Sequence, residues 1–187
     1  MTGGIAAGKT ETLRAFARRG AAVISSDDIV HRLLREDEEV RRSILDRWGA
    51  GVVGDDGQID RSRVADIVFS DRDELLWLEA LLHPRVEQVY LDWREELAGS
   101  PDPPAVIVTE VPLLYEAGGD ERFDAVVAIT ASPEVRAGRR MGPFVDREQR
   151  LLPDREKLER ADFAYVNDGS LDDLERFVSD VMAKLTA

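Results

Sequence analysis

The chain has 187 residues with 25 Lys and Arg against 38 Asp and Glu, a formal charge of −13, and its length suits one core with a smaller insertion. An apolar share of 43% and no run of about 18 apolar residues exclude a membrane span, and acidity spread along the chain repels duplex nucleic acid while leaving room for a local anion pocket. No cysteine means no disulfide, thiolate zinc site or thiol catalysis; two histidines leave little for a metal centre; and with no leader-like start a cytoplasmic protein is expected, as a monomer or small homo-oligomer.

In chain order the first feature is the run Met-Thr-Gly-Gly-Ile-Ala-Ala-Gly-Lys-Thr, in which Gly3, Gly8, Lys9 and Thr10 match G-x-x-x-x-G-K-[ST]. From the chain's own residue frequencies a chance match is on the order of one in a thousand. The glycines let successive backbone N–H groups turn inward around phosphate oxygens, and the helix starting near Gly8 aims its positive end at the same anion. Gly4, Ile5, Ala6, Ala7, Gly8, Lys9, Thr10 and Glu11 therefore form the expected nucleotide cradle. Lys9 neutralises β- and γ-phosphate charge, and the Thr10 hydroxyl is placed to ligate Mg²⁺. Such a loop should follow a buried strand, and only Met1 and Thr2 precede Gly3. The first strand is thus expected to be missing, with about five to ten apolar, β-branched residues encoded upstream.

Beyond the loop, β-branched runs at Ala21–Ser25, Ala105–Thr109, Ala125–Thr130 and Phe163–Val166 read as strands, each followed by a turn and a helix-like stretch. Strands alternating with helices imply an α/β protein with a parallel sheet covered on both faces. The middle differs. Ile29, Leu33 and Leu34 begin one amphipathic face, Val40, Ile44, Leu45 and Trp48 a second, and Val64, Ile67, Val68 and Phe69 a third. Leu75, Leu78, Leu81 and Leu82, then Val86, Val89, Tyr90 and Trp93, read as a helical pair around a break at His83 and Pro84. A helical domain over 28–97 is expected, inserted in a core of 1–27 and 98–187. Gly99 to Pro104 returns the chain to the sheet, and a stretch over about 142–153, with Arg147 and Arg150, reads as a cover.

The phosphate loop together with VISSDDIVHR from Val23, WLEALLHPRV from Trp77, TEVPLLYEAG from Thr109 and RADFAYVNDGS from Arg160 resembles the dephospho-CoA kinase family over nearly the whole chain. The resemblance implies a P-loop NTPase fold with a helical substrate domain and a lid. It also implies transfer of the ATP γ-phosphate to the ribose 3′-hydroxyl of dephospho-CoA, with Mg²⁺, and no nucleic-acid or membrane partner. The alternatives are another P-loop small-molecule kinase, such as a nucleoside or shikimate kinase, and a nucleotide-binding module without catalysis.

Onto the family's V-I-D-A-D segment fall Val23, Ile24, Ser25, Ser26 and Asp27, so the second Asp is kept as Asp27 and Ser25 stands at the first. The resemblance makes Asp27 the catalytic base on the substrate side; a strand-end carboxylate beside the phosphate loop lies where open α/β sheets bind ligands, placed to accept the 3′-hydroxyl proton directly or to hold Mg²⁺ through water. The plain alternative is an N-cap on a helix beginning near Asp28. His83 matches the family's substrate-side His-Pro but also reads as a structural histidine, and Arg85 is either a ligand-phosphate contact or a solvated helix arginine. Glu110 ends an apolar strand where P-loop enzymes often place a carboxylate near Mg²⁺. Arg139 matches the first lid-helix arginine as a catalytic residue, while Pro143 replaces the second and Leu151 the lid glutamine, leaving Arg140, Arg147 or Arg150 as substitutes. Asn167 and Gly169 match the loop that holds the adenine of ATP, and Asn167–Gly169 with Ser170 also reads as a turn and N-cap.

Overall fold

The computed structural model describes residues 1–139 and 152–187. Arg140, Pro143, Arg147, Arg150 and Leu151, and with them most of the expected cover, lie outside the described residues. The chain divides into two compact units, one of Met1–Ser25 with Pro101–Ala187 and one of Ser26–Ser100.

The first unit is α/β. Its strands β1 (Thr2–Gly3), β2 (Ala22–Ser25), β3 (Ile107–Glu110), β4 (Val127–Thr130) and β5 (Phe163–Val166) are all parallel where they pair. β2 pairs with β3, and β1, β4 and β5 form a second ladder. The backbone of Met1 joins the two: its amino group donates to Thr109 O at 2.7 Å, and its carbonyl accepts from Val111 N at 2.9 Å. The order across the unit is therefore β2-β3-β1-β4-β5. The expectation of a missing first strand is corrected in part: a two-residue strand, β1, stands in its place, with Met1 and Thr2 buried at 5% and 0% exposure.

Helices α1 (Lys9–Arg18) and α8 (Leu171–Leu185) lie against one face. Their buried residues, Leu13, Ala15 and Phe16 with Leu174, Val178 and Val181, recur at helical spacing and pack with Val127 and Ile129 of β4. The alternate β4 residue Thr130 points the other way and donates to Asp154, at the start of α7 (Asp154–Arg160). The sheet is thus covered on both faces. A short helix, α6 (Pro133–Arg139), follows β4. Arg18, the last residue of α1, and Arg19 after it both pair with Glu175 of α8, and Ser170 caps α8 in a capping box with Asp173.

The second unit is helical: α2 (Ser26–Glu36), α3 (Glu38–Trp48), α4 (Arg61–Ser70) and α5 (Arg72–Ala98), with one isolated bridge between Val53 and Ile59. Asp37, Asp60 and Asp71 are the N-caps of α3, α4 and α5, each accepting two backbone N–H groups. Two expectations are corrected. Pro84 does not break α5, which runs through it, and the Arg85 guanidinium donates back to Leu81 O at 2.8 Å. Phe69, assigned to an apolar face, is 42% exposed.

Candidate active site

Residues 4–8 turn the chain from β1 into α1. Ala6 has φ 58° and Gly8 φ 96°, so the loop alternates into the left-handed region twice within three residues, the backbone habit that makes an anion cradle. Gly8 is the N-cap of α1 and carries no side-chain cap, so the helix's first N–H groups are left for a ligand. A Cβ on Gly8 would stand 2.2 Å from Asn167 Nδ2, so glycine is required there by space as well as by φ.

Lys9 folds back over the loop, its Nζ donating to Gly4 O at 2.9 Å and standing 3.8 Å from Glu110 Oε1. Glu110, 5% exposed at the end of β3, accepts from Ser25 Oγ at 2.7 Å on its other oxygen. Ser25 thus meets the adjacent strand end, at the position where the family pattern has its first Asp. Thr10 is exposed in the first turn of α1, beside Glu11, whose carboxyl is held below its usual range by hydrogen bonds from Arg18 and Arg14. A hydroxyl and a carboxylate are hard oxygen donors of the kind Mg²⁺ takes in ones and twos, the rest of its shell coming from water and phosphate.

Asn167 and Arg139 are both drawn to the phosphate loop. Asn167 Nδ2 donates to Ala7 O at 2.9 Å; Arg139 Nη2 donates to Asn167 O at 3.0 Å, and Nη1 reaches Ala7 O at 3.5 Å. Gly169 lies one residue before the cap of α8. Arg136 pairs with Asp154 at 3.2 Å, and both side chains stand where a Cβ on Gly4 would be. The loop is therefore packed from below by charged groups that periodicity does not reveal. Sequence reasoning missed these contacts: the only signal was glycine at positions 4 and 8.

In the helical unit, α2 begins at Ser26, directly off β2, so Asp27 lies in the first turn and is exposed, which corrects its reading as an N-cap. Ser26 and Tyr90 share a hydrogen bond between their hydroxyls. His83 is exposed on α5. Arg85 is engaged: Nη2 donates to Glu39 Oε2 at 3.2 Å, and Nε lies 3.9 Å from Asp37 Oδ2.

A family model described as dephospho-CoA kinase matches residues 1–173. A dephospho-CoA kinase of Streptomyces avermitilis is 36% identical over 99% of this chain and 92% of its own length, and one of Protochlamydia amoebophila is 33% identical over 99% and 94%. A crystal structure from Thermus thermophilus superposes with a TM-score of 0.79 at 33% identity, covering 100% of this chain and 96% of that one. The dephospho-CoA kinase of Campylobacter jejuni, at TM-score 0.71 and 23% identity over 99% of this chain and 94% of that one, shares the fold.

Proposed function

The chain belongs to the dephospho-CoA kinase family and is a kinase of that activity, and from this premise we propose how its residues divide the work. The α/β unit binds ATP through residues Gly4 to Glu11, with Asn167 and Gly169 at the adenine, and the helical unit takes dephospho-CoA through Asp27, His83 and Arg85. To meet a substrate phosphate, Arg85 has to exchange its present carboxylate partners.

The ribose 3′-oxygen attacks the γ-phosphorus, the bond to the β,γ-bridging oxygen breaks, and ADP leaves with that electron pair. The Asp27 carboxylate takes the 3′-hydroxyl proton. Lys9 neutralises charge on the β- and γ-phosphates, and the loop N–H groups hold the phosphates in place for in-line transfer. Arg139 adds positive charge at the rim of the loop. Thr10 would hold Mg²⁺, with Glu110 as the nearby acidic partner; when bound, the ion neutralises phosphate charge. The reaction takes place in the cytoplasm, where ATP is supplied.

The observation that carries this reading is the loop itself, turned by Ala6 and Gly8 into the N-terminus of α1 with Lys9 folded over it. The test is a single-turnover reaction with enzyme in excess over ATP, offering dephospho-CoA and a panel of nucleosides and small alcohols. A product heavier than dephospho-CoA by one phosphate supports the assignment. Transfer only to another alcohol makes the chain a different P-loop kinase, and ATP binding without transfer makes it a binding module.

A further inference from the structure

Asn167 is assigned above to the nucleotide's base, yet its amide is already spent elsewhere. It is 5% exposed, and its Nδ2 donates to the carbonyl of Ala7, 160 residues away, at 2.9 Å. A carbonyl can only accept, so the amide nitrogen and not Oδ1 must face it. The Arg139 guanidinium holds the other end of the arrangement, donating to the backbone carbonyl of Asn167.

The consequence follows from the planar trans peptide. The C=O of Ala7 and the N–H of Gly8 belong to one peptide unit and point in opposite directions. Pinning the Ala7 carbonyl outward, toward Asn167, therefore turns the Gly8 N–H inward, into the concave side of the loop where phosphate oxygens bind. The other donor to this carbonyl, Arg139 Nη1, stands farther off at 3.5 Å, and Gly8, at φ 96°, has no Cβ to hold the peptide in place. We infer that Asn167 is the positioning residue of the phosphate loop, holding the Ala7–Gly8 peptide in its anion-binding orientation independently of any contact with adenine. The inference rests on the phosphate-loop reading and deepens it.

The experiment separates the two roles with a ligand that has phosphates and no base. Inorganic tripolyphosphate and ADP are titrated by calorimetry into the full chain and into Asn167→Ala, Asn167→Asp and Lys9→Ala, each with its thermal midpoint measured. A hydrogen bond to a charged oxygen carries about 1.5 to 3 kcal/mol, so a misaligned Gly8 N–H should weaken tripolyphosphate by roughly 10- to 100-fold in both Asn167 variants. Asn167→Asp is informative because it keeps the shape and presents only acceptors to Ala7 O. Tripolyphosphate affinity unchanged in folded Asn167 variants, with ADP weakened, overturns the inference and leaves a base contact. Wild-type chain that ignores tripolyphosphate, or binds it as well after Lys9→Ala, overturns the phosphate-loop reading itself. Should neither Asn167 variant fold, Asn167→Ser, whose shorter side chain gives up the amide donor to Ala7 O, takes their place, and tripolyphosphate bound as tightly as by the parent chain rejects the positioning role.

Discussion

Ser25 Oγ donates to Glu110 Oε2 at 2.7 Å, joining the C-terminal ends of β2 and β3 through a carboxylate whose other oxygen faces Lys9. Both residues are buried, at 7% and 5% exposure, so the serine hydroxyl is a hydrogen bond the carboxylate cannot recover from water. Ser25→Ala should lower unfolding free energy by about 1 to 3 kcal/mol, the range for a buried polar group left short of a partner. Glu110→Gln keeps an oxygen for Ser25 and should cost less stability, while removing the charge beside Lys9 and raising the Mg²⁺ concentration needed for half-maximal transfer. Urea titration reads the first effect and a Mg²⁺ titration of rate the second. A Ser25→Ala protein as stable as the parent would show that the pair is incidental.

What the sequence made legible, and what it hid, divides along a physical line. β5 and the faces of α2 and α3 follow from periodicity, because burial repeats with the element's own pitch. β1 has no period to read: with two residues, it is a strand because β4 pairs with it, while Met1 just before it bonds to Thr109 and Val111. Pro84 carries a breaker's signal that α5 overrides, since the helix runs from Arg72 to Ala98. The caps Asp37, Asp60 and Asp71 were readable in principle, each an Asp before an apolar helical stretch. The contacts of Asn167 with Ala7 and of Ser25 with Glu110 were not, since pairs 160 and 85 residues apart leave no local pattern.

Lys9 has its ammonium over Gly4 O, outside the apolar core of the α/β unit. Lys9→Ala should therefore abolish measurable transfer and leave the thermal midpoint nearly unchanged, because the residue acts on phosphate charge. Near-normal activity in the folded variant would remove the phosphate loop from the mechanism.

For Asp27, exposed in the first turn of α2, Asp27→Asn should slow transfer by roughly 10² to 10⁴ with little change in ATP affinity, the range for losing a general base. Rate and ATP affinity falling together would make Asp27 a nucleotide or metal anchor.

His83 tests the division of labour between the two units. It is exposed on α5, within a unit that contains none of the phosphate loop. His83→Ala should raise the KM for dephospho-CoA more than that for ATP, and steady-state kinetics with each substrate varied in turn measures both. Equal rises would place the effect in general structure and take His83 out of the substrate site.

The amino group of Met1 makes stability depend on pH. It is buried while donating to Thr109 O, and burial pushes its pKa from 8.0 down to about 5, with the Glu110 carboxylate opposing the shift only in part. Between those values the unfolded chain holds a proton that the folded chain does not, so unfolding takes up a proton and stability rises with pH. The 187-residue chain, in a preparation whose mass shows Met1 retained, should gain stability from pH 5 to pH 8 and level off above it. Joining residues ahead of Met1 replaces the amine with an amide, which still has an N–H for Thr109 O and carries no titrating charge. The extended chain should lose most of the slope and gain most at the acid end. Urea midpoints at four pH values on both chains decide it, and equal slopes would assign the pH dependence to groups other than the buried amine.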